Sequence, residues 1–430
     1  KLQAAGELNP AQQRHCHYYL ALAQEAEAKL HTKEHRQMLD CLEINHDNLR
    51  AALTWALSNA CDLALALAVS LGSFWRHRGY ISEGRAWLQQ ALQKTATPSP
   101  MRVKALVRLG DLLGAQGERE ASFTHHQASL ALARELDDQL GIALALRSIG
   151  WYYIHLDKPR TIHYLSEALA LLRNLGEERR IAQLLGDLAQ LIFEQENDLA
   201  KTRAYLQESL HLGRKNGDAR SIMQALNVEA QLASRQGDYA EEMRLLQETL
   251  ALTQMLGIKQ DEAWLLCALA ETARYVCELD LAQRSGEASL TLFQALGSKS
   301  GLAVVLHHLA MVALFTHDLV GAQQRFVESL QFSQATNRQP LIARCLAGLA
   351  GVASRLGDGQ RAARLLSAAH SLFTTLPPFL TPADQADYKR FCEATQKQLS
   401  AASYITAWQA GAALSVEQAV AYALAEPIPA

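Results

Sequence analysis

Histidine and cysteine are the residues of this chain with the most reactive side chains. Histidines cluster as His15/His17, His125/His126 and His307/His308. A metal needs ligands that converge, whereas adjacent residues on a helix point roughly 100° apart. No HExxH run and no CxxC pair occurs, so histidines packed in or on helices are the plainer reading and no metal is expected. Seven cysteines, at positions 16, 41, 61, 267, 277, 345 and 392, are odd in number and scattered. That reads as free thiols in a reducing compartment. No GxSxG elbow is present, and the many carboxylates belong on solvated helix faces. Neither a catalytic residue nor a cofactor is expected. The stronger candidate is a stripe mixing amide, charged and aromatic groups, as a binding surface would. It comprises Asp111; Arg147, Trp151 and His155; Asp187 and Glu194; Gln224, Asn227 and Gln231; Trp264, Glu271, Arg274 and Tyr275; and His307, Met311 and Phe315. The competing reading is that these faces are polar simply because they are wet.

What would align such a stripe is a period of forty. Small residues recur at Gly110, Gly150, Ala230, Ala270, Ala310 and Ala350. Leucines run in step at Leu130, Leu210, Leu250, Leu290 and Leu330, with Leu169 one residue out of register. Two turn series interleave. Gln116-Gly117-Glu118, Leu156-Asp157-Lys158, Glu196-Asn197-Asp198, Gln236-Gly237-Asp238, Thr316-His317-Asp318 and Leu356-Gly357-Asp358 fall inside repeats. Asn174-Leu175-Gly176, Lys215-Asn216-Gly217, Met255-Leu256-Gly257, Ala295-Leu296-Gly297 and Ala335-Thr336-Asn337 fall between them. Gly and Asn tolerate the left-handed conformation that ends a helix, and Asp caps the next. Each repeat is therefore a pair of helices of roughly 14–18 residues, and the small residue lets the pair approach closely. The expected fold is an all-α solenoid of about eight hairpins, near 61–99, 100–138, 139–178, 179–217, 218–257, 258–297, 298–337 and 338–376. Counting from the small residue, the positions three before, one after and four to five after it fall on the inner face; they give the stripe, with Gln224 and Trp264 one more turn back.

Composition agrees. About half of the 430 residues are apolar, with Ala and Leu dominant and Gly and Pro sparse. Asp plus Glu number 44 against 41 for Lys plus Arg, so no electrostatic footprint for nucleic acid or an anionic membrane exists. The apolar stretch from Leu63 to Trp75 is too short to span a bilayer and reads as a buried helix. With no signal peptide, the expected location is cytoplasmic. The first residue is not Met, and the chain reads as cut from a larger protein.

The ends carry the more specific motifs. The run Leu42-Glu43, His46-Asp47-Asn48-Leu49-Arg50-Ala51-Ala52-Leu53, Trp55-Ala56 resembles the segment that follows the winged helix in bacterial STAND-class ATPases. The tail Ala407-Trp408, Gly411, Leu414-Ser415, Glu417, Ala419-Val420, Ala423-Leu424 resembles the end of their sensor region. Leu109-Gly110 with Gly117 and Leu130, and Leu349-Ala350 with Gly357 and Ala362, fit tetratricopeptide logic, although that repeat is ordinarily about 34 residues long. The resemblance implies residues 1–60 as a helical segment after a winged helix, residues 61–376 as a tetratricopeptide-like array and residues 377–430 as a helical cap of two helices, Pro382 to Ala401 and Ser415 to Leu424. The nucleotide-binding core is absent, because no GxxxxGK[ST] run occurs. The implied function is a non-catalytic sensor and scaffold of a regulator. It would take a small inducer or a protein or peptide partner in its inner groove and contact an upstream nucleotide-binding core, and a LuxR-type helix-turn-helix sometimes follows in that family. A free-standing tetratricopeptide adaptor that binds a peptide or protein is the alternative.

Overall fold

The computed structural model describes residues 8–32, 34–195, 198–376 and 380–425. The expected turn at Glu196-Asn197 and the expected stop at Pro377-Pro378 lie outside them. Among the described residues the regular structure is helical throughout. The chain divides into two compact units, Lys1–Val228 and Glu229–Ala430.

Unit 1 opens with α1 (Leu8–Lys29), α2 (His35–Ile44) and α3 (His46–Asn59). Hairpins follow: α4 (Cys61–Arg78) with α5 (Ile81–Lys94), α6 (Pro100–Ala115) with α7 (Arg119–Glu135), α8 (Gln139–Tyr152) with α9 (Lys158–Leu175), and α10 (Glu178–Gln195) with α11 (Leu199–Asn216). The division between the units falls within α12 (Ala219–Gln236). Unit 2 continues with α13 (Tyr239–Leu256), then pairs α14 (Lys259–Tyr275) with α15 (Leu279–Ala295), α16 (Lys299–Phe315) with α17 (Leu319–Ala335), and α18 (Gln339–Arg355) with α19 (Gly359–Thr375). It ends in α20 (Pro382–Gln396), α21 (Ala401–Ala412) and α22 (Val416–Ala425). The tail thus has three helices rather than the expected two, with Ser400 capping the extra one.

Local chemistry sets the boundaries. Gly117 turns α6 into α7 at φ +85°, and Gly176 turns α9 into α10 at φ +68°, a region costly for other residues. His317 and Asn337 accept the same conformation at φ +65° and +51°. The carboxylates of Asp157, Asp198, Asp238, Asp318 and Asp358 accept the backbone N–H three residues on, at the starts of α9, α11, α13, α17 and α19. Ser415 and Gln418 form the reciprocal box their spacing implies: Gln418 Oε1 accepts from Ser415 N at 2.9 Å, and Ser415 Oγ accepts from Gln418 N at 3.2 Å.

The forty-residue small positions are where paired helices touch. A Cβ on Gly110 would lie 2.3 Å from His126 Nε2, and Ala270, Ala310 and Ala350 are buried. A second tie runs in the same register. Ser129, Ser209, Ser289 and Ser329 on the second helices donate to the carbonyls of Val103, Ala182, Ala263 and Ala303 on the first, at 2.6–3.0 Å. Each satisfies a buried hydroxyl and fixes the axial register of its hairpin.

Candidate functional site

Unit 1 contains a cavity of about 470 Å³. The first helices of successive hairpins line it: Lys104, Arg108 and Asp111 on α6, Leu144, Arg147 and Ser148 on α8, Gln183 and Asp187 on α10, and Arg220 and Gln224 on α12. The wall is completed by Gln24 and Glu27 of α1, by His31 just after it, and by Val69, Ser70, Ser73 and Arg76 of α4. Helix α1 packs against α4, which is how the terminal segment reaches the cavity.

Of the stripe residues in unit 1, Asp111, Arg147, Asp187 and Gln224 meet here. Trp151, His155, Glu194 and Asn227 are exposed and line no part of the cavity. Trp151 is 37% exposed beside the short 3-10 turn Tyr153–His155, and Glu194 accepts from Gln190 at 2.5 Å. The cavity therefore sits nearer the N-termini of the first helices than the counting rule places it. Lys104 and Leu144, in register with the stripe residue Gln224 at intervals that are multiples of forty, were legible by moving the same ruler back one turn. The α1 and α4 contributions had no such signal.

Asp187 organises the centre. It is buried, pairs with Arg147 Nη2 at 3.1 Å and accepts from Gln224 Nε2 at 2.8 Å, tying α8, α10 and α12 together. Arg108 pairs with Glu27 at 2.6 Å. Asp111 lies 3.3 Å from His126 and accepts from Ser148 Oγ at 3.4 Å. Burial opposes ionisation of Asp111, yet His126, Arg108 and Arg76 hold its carboxyl below the usual range. Each of the three carboxylates on the cavity wall thus has a polar neighbour within the protein.

In unit 2 part of the stripe is covered by the chain itself, so Arg274 and Tyr275, expected to face a ligand, face α20 instead. Helix α20 lies against Arg274 and Tyr275 of α14, Phe315 of α16 and Arg344 of α18. Arg274 Nη1 pairs with Asp387 at 2.6 Å, and Tyr275 OH donates to Asp384 at 2.9 Å. Arg344 bridges Glu271 at 2.5 Å and Asp384 at 3.3 Å. The Arg390 guanidinium lies over the Phe315 ring, 5.7 Å from its centroid. Burial disfavours ionised Glu271, but His308, Arg344 and Arg274 hold it well below the ordinary carboxylate range. Arg274 is 5% exposed, so it works as an internal clamp rather than a ligand contact. His307 and Met311, both buried, line a residual crevice of about 30 Å³ under α20. Trp264 packs edge-on against Phe293 at 4.8 Å, and Gln231 is half-buried on α12.

One buried pair has the residue types of a nucleophile and base. Cys345 Sγ lies 3.7 Å from His307 Nδ1. Burial pushes the thiol up to about 12 and the imidazole well below its ordinary value, so at neutral pH both are uncharged and no thiolate forms. Among the described residues no group of three or more His, Cys, Asp or Glu could hold a metal, and no helix is long and apolar enough to cross a membrane.

The fold has solved counterparts. A STAND protein with a tetratricopeptide repeat sensor from Pyrococcus horikoshii superposes with a TM-score of 0.60, at 16% identity, over 88% of this chain and 55% of that one. The chain is a tetratricopeptide-type α-solenoid. The apo quorum sensor NprR from B. thuringiensis shares the solenoid architecture with a TM-score of 0.54, at 13% identity, over 84% of this chain and 98% of that one. In sequence the solenoid is similar to mycobacterial proteins, one of them the "Putative HTH-type transcriptional regulator" of Mycobacterium bovis. The identity there is 30% over 201 residues, 43% of this chain and 22% of the relative. The matched stretch is thus about a fifth of the length of that relative. No protein-family model matches the chain.

Proposed function

We propose that this solenoid is the non-catalytic sensor and scaffold region of a bacterial, cytoplasmic STAND-class regulator, and that the unit 1 cavity receives its small-molecule inducer. The cavity carries the reading. Its volume is that of a site for a metabolite-sized ligand, and apolar walls at Val69 and Leu144 stand beside convergent polar groups at Arg147, Asp187 and Gln224. The STAND protein named above has a tetratricopeptide sensor, and the sequence relatives bear the name of transcriptional regulators, which supports a sensing role. In the parent protein the ligand would bias an upstream nucleotide-binding core by binding its closed and open states unequally. Peptide binding by a free-standing adaptor is the second reading, supported by the likeness to a quorum sensor. The test is a thermal-shift screen of a metabolite library. Leu144→Trp places an indole in the cavity and should abolish every genuine shift while the variant stays folded. No shift from any compound, or shifts that survive Leu144→Trp, would reject the site.

A further inference from the structure

The charge on the cavity wall is lopsided. Seven Lys and Arg side chains face three carboxylates. Of those carboxylates, Glu27 and Asp187 pair with Arg108 and Arg147, and Asp111 lies 3.3 Å from His126 and accepts from Ser148 Oγ at 3.4 Å. Arg179 and Arg180 are engaged outside the cavity, with Asp218 at 3.7 Å and Glu177 at 3.1 Å. Arg76, Lys104 and Arg220 are left without an ion pair or side-chain hydrogen bond among the described residues. They come from three helices, α4, α6 and α12, yet share one cavity.

Arg76 and Arg220 are solvent-exposed and Lys104 is half-buried, and like charges gathered around one space repel. Although Arg76 is exposed, partial desolvation of its guanidinium and the charges of Arg220, Arg108 and Arg147 hold it below its ordinary range, opposed by Asp111. Arg220 stands in the first turn of α12, where the helix dipole also disfavours a cation. His31 lines the same wall, and its buried Nδ1 has no hydrogen-bond partner. An anion in the cavity would offset the charge of Arg76, Lys104 and Arg220. Guanidinium groups suit phosphoryl oxygens, which they grip with paired, charge-assisted hydrogen bonds. Val69, Met101, Val107 and Leu144 add apolar wall for an organic body.

We infer that the unit 1 cavity binds a phosphorylated metabolite carrying at least two negative charges, with Arg76, Lys104 and Arg220 as its anion-binding residues. This rests on the sensor reading above and goes beyond it by naming the ligand class. The volume, about 470 Å³, favours a small molecule over an acidic peptide.

The experiment is isothermal titration of the whole chain, at fixed ionic strength, with pyrophosphate, fructose 1,6-bisphosphate, unphosphorylated fructose and an acidic hexapeptide. Each is run against wild type, the Arg76→Gln/Arg220→Gln double variant and Leu144→Trp. Saturable binding of the bisphosphate, weakened about tenfold or more in the double variant and lost in Leu144→Trp, is expected. Fructose and the peptide should not bind. The double variant should melt no lower than wild type, because it removes unmatched charge. Phosphate binding that the folded double variant retains overturns the proposal, as does a preference for the peptide. If anions fail but neutral compounds give shifts sensitive to Leu144→Trp, the ligand class is wrong and the sensor site stands. If nothing binds, both fall.

Discussion

Glu242 opposes the fold at neutral pH. Burial, and then the nearby charge of Glu271, raise its carboxyl from 4.5 to about 7, while Ser234 and Thr272 only partly compensate. A raised folded pKa means that this group costs nothing below the unfolded value of 4.5 and destabilises increasingly as pH rises through about 7. Glu242→Gln should therefore match wild type near pH 4.5 and exceed it at pH 8 by about 1–3 kcal/mol, read by urea denaturation at both values. Equal stability at pH 8 would count against a Glu242 carboxyl raised to about 7. Cysteine reactivity gives a second check at this scale. Cys277 is exposed at a positive-φ turn, whereas Cys16, Cys267 and Cys345 are buried. Iodoacetamide at pH 8 should label Cys277 first and leave Cys345 intact until the chain unfolds. Early labelling of Cys345 would contradict its elevated pKa.

Among the elements, α20 is the one whose place rests on charge. Its first turns carry Asp384 and Asp387 to Arg274 and Arg344, and Thr381 caps it through the N–H of Asp384 at 3.1 Å. Losing one partner leaves a buried charge with only a longer contact, Arg274 with Asp384 or Asp387 with Arg390, each at 3.5 Å. Arg274→Ala and Asp387→Ala should each cost about 3–5 kcal/mol, and the double variant less than their sum, in a denaturation cycle. Additive losses would mean the two groups do not interact. Helix pairing is open to the same kind of test. A Cβ on Gly348 would fall 2.3 Å from Phe326 Cζ, so Gly348→Ala should destabilise by about 1–3 kcal/mol despite the better helix propensity of Ala. A neutral or stabilising result would show that α17 and α18 have room to part.

At the scale of the whole molecule, a solenoid passes strain mainly to neighbouring repeats. In hydrogen exchange read by mass spectrometry, Arg274→Ala should speed exchange in α14, α18 and α20 and leave α6, α8 and α10 of unit 1 unchanged. Uniform loss of protection through both units would instead indicate one cooperative block. Binding in the unit 1 cavity should conversely slow exchange in α6, α8 and α10, the helices that line it.

The sequence by itself determined the hairpins. Turn residues such as Gly117 and Gly176, the Asp caps and the small residues at intervals of forty act on chain neighbours or on the partner helix of one hairpin, so their effect is readable from spacing. Asp111, Arg147, Asp187 and Gln224 were legible as site residues for the same reason, because a fixed period carries them onto one face. What only the tertiary structure decided was which stretch of that face stays open. Arg76 of α4 and Arg220 of α12 line one cavity although they lie far apart in sequence. Arg274 meets Asp387 across 113 residues of sequence. No local rule constrains such distant pairs. Their positions follow from which exposed face each terminal helix can cover, and that is settled by packing and charge in three dimensions.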